Sequence, residues 1–145
     1  MDIRPLPDIE IVGDIRKIPL PDNYVDEIFT QHTLEHFDRS EVQPILREWY
    51  RALKFRGILK IRVPNLLFIM NQYFHNPMYK KWCIELLYGG QDYDTNYHRN
   101  AFDWPLLYEQ LYLAGFRDIK LWGDSGVAGL GLDMQGMKPS PIIPI

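Results

Sequence analysis

The sequence predicts an α/β domain with a mostly parallel sheet and a last antiparallel strand. Three observations carry that reading. Short β-branched runs alternate with segments of helical periodicity. One segment places its apolar residues on a single helical face. The chain has 145 residues, 46% of them hydrophobic and 24% charged, which suits one domain with a real core.

The elements follow in order. Ile9 to Gly13 is a short apolar run ending at Asp14, and RKIPLPDN after it is a turn-rich loop. Val25 to His32 reads as a strand. Residues 41–54 read as a helix, because Val42, Ile45, Leu46, Trp49, Tyr50 and Leu53 recur at helical spacing. Ser40 and Gln43 have the spacing of a capping box, and Pro44 falls in the first turn. Gly57 breaks the pattern before the strand ILKIRV, 58–63. Leu66 to Phe74 and Met78 to Leu87 read as two helices parted by Asn76-Pro77. GGQDYDTNYHRN, 89–100, is a polar loop. Asp103 caps a helix from Trp104 to Ala114, with Gly115 just past its end. Phe116 to Trp122 reads as a strand. Leu130 to Lys138 reads as the last one, with Leu132, Met134 and Gly136 on one face. Residues 1–138 thus form one domain, and the Pro-rich 139–145 an extended arm.

Composition excludes several classes. Sixteen basic against 19 acidic residues give a net charge of -3, which argues against nucleic-acid binding by bulk electrostatics. The single cysteine, Cys83, rules out an internal disulfide and suits a reducing, cytoplasmic setting. The run Leu66 to Met70 is far short of the roughly 20 residues a membrane helix needs. The first ten residues do not read as a secretory signal.

Ligands of open parallel sheets bind outside the carboxyl ends of the strands. Those ends supply Asp14-Ile15, Gln31 to His36, Pro64-Asn65 and Gly123-Asp124. His32 and His36 are four apart, but H-T-L-E-H is not H-E-x-x-H, and His32 ends a strand. No metal site is expected from that pair. Cys83 lies in a helix beside Trp82 and Ile84, as a buried hydrophobe does. The G-x-G-x-x-G fingerprint of a nicotinamide-dependent dehydrogenase is absent.

The stretch from Gly13 to Asn65, with its Q-H-T-L-E-H-F, L-R-E-W-Y-R-A-L-K and G-I-L-K-I-R-V-P-N segments, resembles the class I S-adenosylmethionine-dependent methyltransferases. The later Y-G-G-Q, the histidine before a helix ending in A-G-F, and LDMQGMK resemble the small predicted-methyltransferase branch of that family. The resemblance implies a Rossmann-like sheet of order 3-2-1-4-5-7-6 and S-adenosylmethionine as cofactor. It implies that Asp14 and the Ile15 backbone meet the adenine and that Asp2 holds the ribose. Gln31 and His32 stand beside the cofactor, and Glu35 and His36 near the methyl. His98 and the Gly89-Gly90-Gln91 loop line the acceptor side, so His36 and His98 are the candidate bases.

Two features depart from the family. Its first strand and Gly-rich loop have no counterpart before Asp2, and its L-K-P-G-G turn reads Leu53-Lys54-Phe55-Arg56-Gly57. A missing first strand leaves the 25–32 strand with an unpaired edge, which predicts self-association or rearrangement of residues 1–14. An N-terminally truncated reading frame gives the same pattern. Two functions remain open: a methyltransferase acting on a small-molecule or glycan acceptor, and a non-catalytic binding or assembly module that keeps only the adenine side.

Overall fold

The computed structural model describes residues 13–93, 95–123 and 129–141. The apolar run that starts at Ile9, all but its last residue Gly13, lies outside them, as do Asp2 and Asp124. The described strands are β1 (Val25–Gln31), β2 (Leu53–Pro64), β3 (Arg117–Leu121) and β4 (Gly131–Met137). The helices are α1 (Arg39–Ala52), α2 (Leu66–His75), α3 (Lys80–Tyr88) and α4 (Trp104–Leu113). The sheet order is β1-β2-β4-β3. β1 and β2 pair in parallel, and β4 is inserted antiparallel between β2 and β3. Three strands therefore run one way and the last runs against them, although only one of the three hydrogen-bonded pairs is parallel. This matches the 4-5-7-6 half of the expected order.

Alternation along β2 sets the two faces of the sheet. Leu59, Ile61 and Val63 are fully buried, and in register they meet Gly136, Met134 and Leu132 of β4. That face carries α1 and α4, whose Ile45, Leu46, Trp49, Leu107 and Leu111 complete the core. The opposite face is polar. Lys60 pairs with Glu27 at 2.8 Å, and Arg62 with Asp133 at 2.5 Å. Trp122 lies over that face, its ring edge-on to Phe29 and its centroid 5.5 Å from the Arg62 guanidinium carbon. Among the described residues β1 pairs only with β2, so its other edge has no strand beside it there.

Several boundaries move from their sequence positions, each for a local reason. Helix α1 begins at Arg39, because Asp38 and Glu41, not Ser40 and Gln43, form the capping box. The Glu41 carboxylate accepts from the Asp38 N–H at 3.0 Å. Pro44 consequently lies in the second turn. Strand β2 begins at Leu53 and runs through Gly57 rather than starting after it. Arg56 takes φ 67°, and the register slips between Val25↔Leu53 and Glu27↔Ile58, so residues 54–57 bulge out without ending the strand. Asp103 does cap α4, accepting from the Leu106 N–H at 3.0 Å, and Gly115 follows at φ 105°.

Candidate functional site at the carboxyl ends of β1 and β2

The site is built from the ends of the two parallel strands. His32 continues the ladder by donating its N–H to the Arg62 carbonyl at 2.9 Å. It then takes φ 50°, which turns the chain off the sheet. Residues Leu34–His36 follow as a single 3₁₀ turn that buries Leu34 and Glu35. The Glu35 carbonyl accepts from the N–H groups of Arg99 and Asn100, at 2.8 and 3.1 Å. Those two bonds fasten the 89–100 loop to the turn and bring His98 to the site.

His98 is fixed from both sides. Its backbone N–H donates to the Tyr88 carbonyl at 3.0 Å, and its Nδ1 lies 2.8 Å from the Leu86 carbonyl. His36 Nδ1 lies 3.1 Å from the Tyr97 carbonyl. A carbonyl only accepts, so each Nδ1 carries a proton and Nε2 is the ring atom left for another partner. The two rings meet edge to face, 4.8 Å apart. Burial, the leading cause, pushes His98 below the ordinary imidazole value, which favours its neutral ring. The Leu86 carbonyl and the Glu35 carboxylate only partly oppose that shift. His32 Nδ1 lies 3.2 Å from Glu35 Oε1.

Gln31, His32, Arg62, Pro64, Leu86 and His98 line a cleft of about 460 Å³, and Gly131 at the start of β4 is also in its wall. A second, more apolar cleft of about 630 Å³ lies between α2 and α3, lined by Phe68, Gln72, Tyr79 and Trp82, away from these polar groups.

The structure therefore brings Gln31, His32 and His98 into one cleft and sets His36 against His98. Asp14 and Ile15 occupy a separate turn beside the start of α1. The Ile15 carbonyl accepts from Trp49 Nε1 at 3.2 Å. The Asp14 carboxylate is gripped by Arg16, whose Nε and Nη2 approach to 3.0 and 2.6 Å. Hydrogen bonding from that guanidinium holds the Asp14 carboxyl below its ordinary range. Arg16 reaches on to Glu41 at 3.2 Å and lies over the Phe37 ring, which places this turn next to the one carrying Glu35 and His36. In the Gly89-Gly90-Gln91 segment, Gly89 has φ 77° and the Gln91 N–H donates to the Asn96 carbonyl at 3.1 Å, so the loop closes on itself.

Sequence reasoning missed two features. One is the burial of Glu35, which no spacing announces. The other is the Arg62–Asp133 pair. Its available signal was a charge at alternating positions of an otherwise β-branched strand. The charged residues within the strand thus mark its polar face, while the apolar ones mark the core.

Comparison with known proteins agrees with this architecture. A family model described as a methyltransferase domain matches residues 4–61. No curated protein matches the chain. Among solved structures, it is similar to a possible exported protein from Bordetella parapertussis, with TM-score 0.65 and 18% identity over 88% of this chain and 43% of that one. It is similar to an S-adenosylmethionine-dependent methyltransferase, a possible histamine N-methyltransferase, from Thermotoga maritima, with TM-score 0.60 and 20% identity over 88% and 63%. It is also similar to human N-acetylserotonin methyltransferase solved in complex with S-adenosylmethionine, with TM-score 0.61 and 17% identity over 90% and 33%. The chain spans between about a third and two thirds of the length of these structures. Its fold is that of the class I S-adenosylmethionine-dependent methyltransferases. Among the described residues no helix is long and apolar enough to cross a membrane.

Proposed function

We propose, from the premise that the chain carries the methyltransferase fold and the matching domain segment, that it works as an S-adenosylmethionine-dependent methyltransferase. The single observation that carries this reading is the convergence of Gln31, His32 and His98 in one cleft at the carboxyl ends of the parallel strands, with His36 in contact. A cleft of about 460 Å³ is in the range that takes a nucleoside-sized ligand. The bound cofactor supplies an electrophilic methyl on a sulfonium.

The chain's own residues do the rest. Ile15, in its turn pinned by Trp49, and Asp14 hold the adenine end. Asp14 does so only by sharing its carboxylate with Arg16, or by releasing it. Gln31 and His32 bind beside the cofactor and orient it. Held beside Gln31 and His32, the cofactor would give its methyl to the acceptor and keep the carbon–sulfur electron pair on sulfur. For a hydroxyl acceptor, a free imidazole Nε2 of His36 or His98 takes the proton. Positioning and exclusion of water supply most of the acceleration. The alternative of a non-catalytic module has no specific observation in its favour.

Calorimetric titration with S-adenosylhomocysteine tests the reading. We expect saturable binding at one site, weakened at least tenfold by His32→Ala. No heat at millimolar ligand overturns it.

A further inference from the structure

We propose that Glu35, His36 and His98 form a binding site for one divalent transition-metal cation, of which zinc is the type. A carboxylate oxygen of Glu35 and one ring nitrogen from each histidine lie within 4.8 Å of one another. Two imidazoles and a carboxylate, with one coordination position left to water, make a known class of open zinc site.

Three independent features of the structure point to a ligand. Glu35 is only 1% exposed, and its Oε2 has no hydrogen-bond partner. An unpaired carboxylate oxygen in the interior is costly, and a cation relieves that cost directly. Both imidazoles are anchored through Nδ1 by backbone carbonyls, of Tyr97 for His36 and Leu86 for His98. Outer bonds of this kind fix the tautomer and aim Nε2 of a metal-binding histidine. Third, His32 Nδ1 at 3.2 Å occupies the other oxygen of Glu35, which orients the carboxylate and leaves Oε2 for the cation.

The frame around the donors is rigid where it needs to be. The two amide bonds from Arg99 and Asn100 to the Glu35 carbonyl lock the His98 loop to the turn carrying Glu35 and His36. The ligands thus come from two neighbours in sequence and one residue far along the chain, a grouping that only the closed fold creates. Cys83 is buried in α3 and is not among the donors, so the set is nitrogen and oxygen only. Such a set favours zinc, cobalt or manganese over copper(I). A cation held here occupies the Nε2 atoms of His36 and His98, so in the metal-bound form neither takes a proton from an acceptor; cation binding needs no bound cofactor and is measured without it.

The test uses the full chain, purified with chelator and then freed of it. Zinc is titrated by calorimetry, and cobalt(II) by its visible absorption. One equivalent of each is expected, with a cobalt band typical of nitrogen and oxygen donors. Glu35→Gln and His98→Gln should each weaken binding tenfold or more, and His32→Ala by less. His75→Gln, at the exposed end of α2, should change nothing. Circular dichroism checks folding, and if His98→Gln unfolds, His36→Gln at the half-buried ring carries the same reading. Absence of zinc heat and of a cobalt band overturns the proposal. Equal affinity in wild type, Glu35→Gln and His36→Gln overturns it too.

Discussion

Helix α1 and the α2–α3 pair are both rich in apolar residues, and they use them differently. In α1, Val42, Ile45, Leu46, Trp49 and Ala52 form one stripe and all are buried. In α2 and α3 the apolar residues are spread around the helices, and only Ile69 and Cys83 are buried. Phe74 stays 68% exposed and Met78 94%. The phase of the apolar positions, not their number, decides which helix builds the core. The candidate site lies on the seam between the two regions. Glu35 and His36 lead into α1, and His98 is held by the end of α3.

The sharpest way to break this contrast is Trp49→Ala. It removes a buried indole and its bond to the Ile15 carbonyl, and should cost about 4 kcal/mol, measured by urea unfolding. Next comes Lys138→Met. Lys138 is 4% exposed, and its Nζ donates at 2.8 Å to Asn23 Oδ1 and to the carbonyls of Tyr50 and Leu53, tying the end of α1 to the start of β2. Loss of these bonds should cost about 2 kcal/mol in the same measurement.

A smaller effect depends on pH. Glu48 is held below its ordinary value by hydrogen bonding from Arg51 first, with a further bond from the Ile18 N–H, against the cost of burial. Its folded value is the depressed one. Its contribution is therefore present above about pH 4.5, and it is lost as pH falls through the folded value, because the unfolded chain takes the proton first. Glu48→Gln should lower stability by about 1 kcal/mol at pH 7 and make the wild-type and variant curves converge in acid. Smallest of all, Met78→Ser on the α2–α3 side should stay within about 0.5 kcal/mol in urea unfolding. A larger loss would mean that this surface contributes more to folding than its exposure indicates.

The same contrast explains how much was legible beforehand. The apolar stripe of α1 stands out in the sequence because burial demands one phase. Its start is ambiguous in the sequence because two candidate boxes, Asp38/Glu41 and Ser40/Gln43, stand two residues apart, and spacing alone does not rank them. The start of β2 was hidden because a positive φ at Arg56 turns an apparent break at Gly57 into a bulge. The last strand was legible in full, since Leu132, Met134 and Gly136 meet the core face in register. In the site, Gln31 and His32 follow from the strand-end rule. The meeting of His36 with His98 does not, because it depends on the closure of a loop whose own sequence is polar and aperiodic.

In the proposed function the carboxyl ends of β1 and β2, and not the apolar surface of α2–α3, receive the cofactor. Amide chemical-shift mapping on adding S-adenosylhomocysteine tests it most directly. Perturbations should concentrate at Asp14, Ile15, Gln31 to His36 and His98. Perturbations concentrated between Leu66 and Tyr88, or none at saturating ligand, would contradict it.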